Sequence, residues 1–217
     1  SNLSNIIIQN PSQYTHDRYI ASGYPTGNPN KMLDCDFNGS NLQGASFLDI
    51  WVGTIGGGIP SFSGANCSNI IFNNCVLNDI SFPNATINKT DFSNSVLDKV
   101  SFMNSDFISP VFGSTVLDGV VFTGLDLTGK DFSGCSFYGM NWFDDCVINH
   151  VNFSGLDLSG FNWGQNPAVL QNLIGVNFSG CSFGSSGIVT LHNSVTDCNF
   201  SNLVLYSGGQ EVNNTRL

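Results

Sequence analysis

Charge is what this sequence has least of. Only 10% of its 217 residues are Asp, Glu, Lys or Arg, against about 25% in an average soluble protein. Cations are the scarcest: six Lys and Arg against sixteen Asp and Glu leave a net charge of −10. Holding nucleic acid by its phosphates needs clustered cations, so a direct nucleic-acid partner is excluded. No run approaches ~18 uninterrupted apolar residues, so no membrane-spanning helix is expected. Low charge would fit a disordered chain, but a hydrophobic fraction of 41% argues for a packed core. The chain opens at Ser1 with neither Met nor a leader-like segment, as a processed or trimmed form does.

Motifs that carry chemistry are missing too. No CxxC, HxH, HExxH, GxSxG or Walker pattern occurs, and Gly56-Gly57-Gly58 is too generic for a phosphate loop. His16, His150 and His192 are scattered and read as surface residues. Asp144-Asp145 are the only adjacent acids, and they read as solvated corner residues rather than an acid–base pair. The Asp spacing is not the nine-residue pattern of calcium-binding β-rolls. No catalytic residue, cofactor or metal ligand is expected, and the chain reads as a non-enzyme; an enzyme built on the loop 164–175 is the least favoured class.

What is present is a repeat. Every fifth residue from Phe62 to Trp142 is apolar: Phe62, Cys67, Phe72, Leu77, Phe82, Ile87, Phe92, Leu97, Phe102, Phe107, Phe112, Leu117, Phe122, Leu127, Phe132, Phe137 and Trp142. Upstream the same phase gives Met32, Phe37, Leu42, Phe47 and Val52, broken by Gly57. On a helix five residues advance ~500°, which scatters these positions around the cylinder. On a straight strand an odd spacing sends alternate members to opposite faces. The chain must therefore bend the same way once per repeat. A second period, of twenty, relates Val76-Leu77-Asn78 to Val96-Leu97-Asp98 and Val116-Leu117-Asp118. Four repeats make one coil, and coils stack with parallel ladders ~4.8 Å apart.

The flanking positions agree. Two before each centre stand small residues such as Cys35, Ser40, Ala45, Ala65, Cys75, Ala85 and Ser95, which suit a second inward position. Two after it stand Gly39, Gly44, Gly64, Asn69, Asn74, Asn84, Asn94, Asn104, Gly119, Gly124 and Gly129, which suit tight turns. Triplets such as Asn66-Cys67-Ser68 and Asn177-Phe178-Ser179 arise automatically from this repeat and are not read as glycan acceptors.

With Cys35-Asp36-Phe37-Asn38-Gly39, Leu125-Asp126-Leu127-Thr128-Gly129, Lys130-Asp131-Phe132-Ser133-Gly134 and Leu156-Asp157-Leu158-Ser159-Gly160, the chain resembles the pentapeptide-repeat family over roughly residues 32–205. The resemblance implies an all-β fold, a right-handed quadrilateral β-helix, here of about eight coils. Some members of that family are thought to mimic duplex DNA and bind DNA gyrase, protecting it from quinolones, and they dimerise through an apolar C-terminal segment. This chain ends in a polar stretch, Tyr206 to Leu217, without such a segment.

Residues 1–31 lack the repeat and are expected to form a cap or arm, with Ile6-Ile7-Ile8 adding a strand over the first coil. Residues 32–205 form the solenoid, with excursions near 53–60, 164–175 and 184–196, and 206–217 form a polar tail. The run 168–174 fits a loop or one helical turn, with the repeat resuming at Phe178. One residue is inserted near Phe143-Asp144-Asp145, read as a bulge or corner loop.

Seven cysteines are expected as buried, reduced, slow-reacting thiols. Cys75 and Cys135 share a face but stand sixty residues apart, three coils or ~14 Å; a disulfide needs Cα atoms within ~7 Å. Reduced thiols favour a cytoplasmic setting. On the outer surface, Asp106 and Asp126 should stack on successive coils, as should Asp98 and Asp118, while Val76, Val96 and Val116 should form an outward apolar column. These seven residues are the expected partner surface. The favoured function is a non-enzymatic binding or scaffold solenoid with a protein partner; the alternative is an acidic DNA mimic directed at gyrase.

Overall fold

The computed structural model of the chain describes residues 1–9, 31–33, 35–48, 50–53, 61–159, 161–162, 172–183, 194–207 and 210–212. Every regular element among them is a short strand, and the chain winds as a four-faced parallel β-solenoid. One face is a six-stranded sheet in the order Lys31–Leu33, Trp51–Gly53, Val76–Asn78, Val96–Asp98, Val116–Asp118 and Ser136–Tyr138. Its register pairs Val76 with Val96 and Val96 with Val116, the twenty-residue step read in the sequence.

Two opposed faces carry phenylalanines at their centres, and their rings stack along the axis. Phe47, Phe72, Phe92, Phe112, Phe132, Phe153, Phe178 and Phe200 form one continuous column, with neighbouring centroids 4.9 to 5.6 Å apart. Phe37, Phe62, Phe82, Phe102, Phe122 and Phe143 form the second. The columns meet edge to face, as Phe72 and Phe82 do at 6.4 Å and 75°. Both geometries suit the ring quadrupole, so the core gains from stacking within a column and from T-shaped contact between columns.

Most corners are closed by a residue of positive φ two positions after the centre. Asn69, Asn84, Asn94 and Asn104 serve there, and so do Lys89, Lys99 and Ser114. At the position just before many centres, an Asp or Asn carboxyl or amide oxygen accepts the N–H two residues on, as Asp91 does from Ser93 and Asp131 from Ser133, both at 2.9 Å. Asn66, Asn152 and Asn177 use their side-chain oxygens in this way, which is the structural reason for the Asn-x-Ser triplets.

The small inward position turns out to be a polar rung. Thr90 donates to Cys67 C=O at 2.7 Å, Ser95 to Phe72 C=O at 2.7 Å and Thr115 to Phe92 C=O at 2.9 Å. The thiols of Cys75, Cys135, Cys146 and Cys181 make the same bond to Phe47, Phe112, Phe122 and Phe153. Smallness admits these residues, and a donor satisfies a carbonyl the core would otherwise strand.

Several expectations need correction. The extra residue lies before Phe143, not at Phe143-Asp144-Asp145: Leu117 pairs with Phe137, but Val121 bridges Trp142. Phe143 is therefore the buried centre and Trp142 points outward, the reverse of the five-residue count. Buried Asn141 takes up the slack, its Oδ1 accepting Val120 N–H at 2.9 Å and its Nδ2 donating to Tyr138 C=O at 2.9 Å. The repeat resumes one step before Phe178, because Asn172–Ile174 is a strand with Leu173 buried; 164–171 lies outside the described residues. At the start, Asn2 bridges Asn41 and Ile7–Gln9 pairs with Ser46–Leu48, so residues 1–9 lie in the ladder; 10–30 is outside the description. At the other end Val204–Ser207 turns back on Gln210–Val212 in an antiparallel pair, which occupies the last edge in place of a further coil.

All seven cysteines are free thiols, but they are not alike: Cys35 and Cys198 are half-exposed. Burial pushes Cys67, Cys135 and Cys146 up to about 12. In native protein at mildly alkaline pH, a thiol-reactive probe is expected to modify Cys35 and Cys198 first and the others only on unfolding; peptide mapping of the modified chain reads this directly. Phe112 lies between Phe92 and Phe132, each at 5.5 Å, and is 3% exposed. Phe112→Ala should cost ~3–5 kcal/mol in denaturant titration, and an unchanged midpoint would disprove the assigned register.

Candidate functional site

Among the described residues the ladder that zips each coil to the next stops below Ser136–Tyr138, the last strand of its sheet, and over a longer stretch between 105–113 and 125–134. Above it, Lys89 N–H donates to Ile108 C=O and Val111 N–H to Thr90 C=O; below it, Leu127 N–H donates to Val147 C=O and Phe132 N–H to Asn152 C=O. Between 105–113 and 125–134 no backbone hydrogen bond or β-bridge joins the two coils among the described residues. The coils stay paired on the remaining two faces, through Val116–Ser136 and Ser101–Val121. The result is a seam open along two adjacent faces.

Two contiguous grooves mark it. One, of about 390 Å³, runs past Asp106, Ile108, Leu125 and Asp126; the other, of about 590 Å³, past Val111, Gly113, Asp131 and Gly134. They share Ser109, Thr128 and Lys130. Two features lie at the opening. Phe107 occupies a column filled elsewhere by Leu42, Cys67, Ile87 and Leu127, and its ring wedges against Phe102 at 5.2 Å and Phe122 at 6.0 Å. Asp106 and Asp126 stand on the two lips of the opening.

The expected partner residues divide on this geometry. Asp106 and Asp126 are exposed on the two lips of the first groove, but they are not bridged to each other as expected. Hydrogen bonds from Thr128 hold the Asp126 carboxyl below the usual range. Asp98 and Asp118 do stack, in register, yet Asp98 is 5% exposed and accepts a 2.7 Å bond from Asn78 Nδ2. It offers no carboxylate to a partner. Val76, Val96 and Val116 stack as expected, but they are buried in a second apolar cluster with Trp51, separate from the main core, so the column is not an exposed surface. The sequence identified the column and missed that the face is covered. It also missed Ile108 and Thr128 as groove residues, because a repeat pattern contains no sign of where a ladder fails.

Exposed aliphatics occur here as they do elsewhere on the rod, at Ile7, Val147 and Val195 among others. Ile108 is 47% exposed and Val111 48%. Among the described residues no group of three or more His, Cys, Asp or Glu is arranged to hold a metal ion, and no helix is long and apolar enough to cross a membrane.

Asp118 tests the electrostatics of the neighbouring face. Burial, and then the Asp98 charge, raise its carboxyl above the ordinary value. Its charged form is therefore disfavoured in the fold: the penalty is complete above the folded pKa and vanishes below the unfolded one. Asp118→Asn should raise the melting temperature slightly at neutral pH and lose that gain in acid, below the carboxylate range. A gain that persists unchanged in acid would show that charge is not its source.

Comparison with known proteins fits this architecture. A family model for pentapeptide repeats matches residues 61–98, in eight copies. No curated protein matches the sequence. Full-length QnrB1, a plasmid-mediated fluoroquinolone resistance protein, is similar in structure over 94% of this chain and 91% of its own, at 16% identity and a TM-score of 0.58. HetL from the cyanobacterium Nostoc, a pentapeptide repeat protein involved in heterocyst differentiation regulation, aligns over 93% of this chain and 88% of its own, at 14% identity and a TM-score of 0.35. At 16% identity the likeness to QnrB1 is one of fold.

Proposed function

We propose that this chain is a pentapeptide-repeat protein that acts without catalysis, as a solenoid that binds another protein along the open seam. The observation that carries the reading is the coincidence of three features at one place: an interrupted ladder, exposed Ile108 and Val111, and exposed Asp106 and Asp126. A regular solenoid presents the same polar rungs on every coil. A specific contact needs a place where the rungs differ, and exposed aliphatics inside a charged rim have the composition of a protein interface.

The fold shared with QnrB1 raises the second reading, a DNA mimic directed at gyrase. Such a mimic needs carboxylates spaced along the rod. Asp98 is buried and hydrogen-bonded, and Asp118 is half-buried beside it, so one of the two acidic columns is largely withdrawn from the surface. The binding solenoid is therefore favoured.

The test is affinity capture from the native host by wild-type chain and by Ile108→Lys/Val111→Lys, both checked for native melting. A protein captured by the first and lost by the second supports the seam as the contact; capture indifferent to the change refutes it. Gyrase supercoiling, titrated with this protein in the presence and absence of a quinolone, should show neither inhibition nor protection. Protection at stoichiometric protein would instead establish the gyrase-directed mimic.

A further inference from the structure

We propose that the open seam receives the lysine or arginine side chains of an extended segment of a partner protein, a claim that rests on the seam being the binding surface. The first argument is the unmet demand of the backbone. In the coil above, the carbonyl of Ile108 accepts Lys89 N–H; in the coil below, the carbonyl of Asn149 accepts Gly129 N–H. By the same spacing Thr128 C=O would accept Ser109 N–H, and that bond is not made. Carbonyls on the seam are left to other donors.

The second argument is that one such donor is already there. Lys130 Nζ donates to Thr128 C=O at 3.2 Å. The chain's own ammonium has taken a place in the seam that a backbone N–H holds elsewhere. The chemistry that fits is therefore visible in cis: a cationic donor on a flexible stem, reaching a main-chain oxygen between two coils.

The third argument is the charge around it. Asp106, Asp126 and Asp131 line the two grooves, with Lys130 as the one basic residue among the lining side chains. Hydrogen bonds from Thr128 favour the charged form of the Asp126 carboxylate. Ile108 and Val111 add apolar surface beside the carboxylates. A segment alternating cations with aliphatic residues matches both in one extended strand, since successive side chains point to opposite sides. Two faces give room for roughly six residues at ~3.3 Å each.

The probe is a fluorescently labelled decapeptide of alternating Lys and Val, with a Glu/Val peptide as control, titrated by anisotropy against the whole chain. The Lys/Val peptide should bind saturably and weaken with salt, and the Glu/Val peptide should not bind. Asp106→Asn/Asp126→Asn/Asp131→Asn should weaken binding by about tenfold or more. Phe107→Leu removes the wedge while keeping every carboxylate, and should weaken binding comparably by letting the ladder close. Wild-type affinity in Phe107→Leu would leave surface charge as the whole cause and overturn the seam; wild-type affinity in the triple variant would overturn the cationic match. If the peptide fails to bind while Ile108→Lys/Val111→Lys still loses a captured protein, the seam binds a partner of other chemistry. The proposed function then stands and this inference falls.

Discussion

The structure depends first on the corner. At most corners a residue takes a left-handed conformation, and the chain turns to start the next face. For an ordinary L-residue that conformation costs roughly 1–2 kcal/mol, so Gly and Asn fill many corners. Where Lys89, Lys99 or His150 stands instead, the cost is borne by what the corner makes possible: the ladder bonds and the ring stacks on either side. Repetition makes this affordable. Each coil templates the next, and a strained corner is held by two neighbours rather than by its own sequence.

The seam is where this mutual support thins. Ser109 has φ of 49° at its corner and no ladder bond to the coil below it. Strain that is offset elsewhere is less fully offset here, a pattern more common at sites of contact than in uniform scaffold. The same coil holds Phe107, the one large ring in a column of smaller side chains. Local strain, a large ring in the core and exposed aliphatics at the rim thus lie together around position 107.

The sequence revealed the fold almost entirely, because a period of five leaves only one way to bury Phe62, Phe72 and Phe82 together, and twenty sets the register of Val76, Val96 and Val116. It misplaced the centre at Trp142, because both Trp142 and Phe143 are aromatic and only the pairing with Val121 distinguishes them. It read Ser95, Thr90 and Cys75 as merely small, since composition reports volume and not the carbonyl beyond. The site was less legible. Column arithmetic places Asp106 and Asp126, but the open seam between them and the burial of Val96 belong to the packed structure and leave no mark on the repeat. Periodicity describes what each coil shares with the next, and the open junction between 105–113 and 125–134 departs from it.

That junction has a mechanical meaning as well. A solenoid zipped on all four faces resists bending equally in every direction. One joined only through Val116–Ser136 and Ser101–Val121 has lost its stiffening on one side. The two parts of the rod are connected there like boards on a spine, and bending at that line breaks fewer ladder bonds than at a fully zipped coil. Curvature opening toward the grooves strains few bonds, whereas curvature in the opposite sense compresses the stacked rings of Phe112 and Phe132. At this junction the rod has a preferred direction in which to yield.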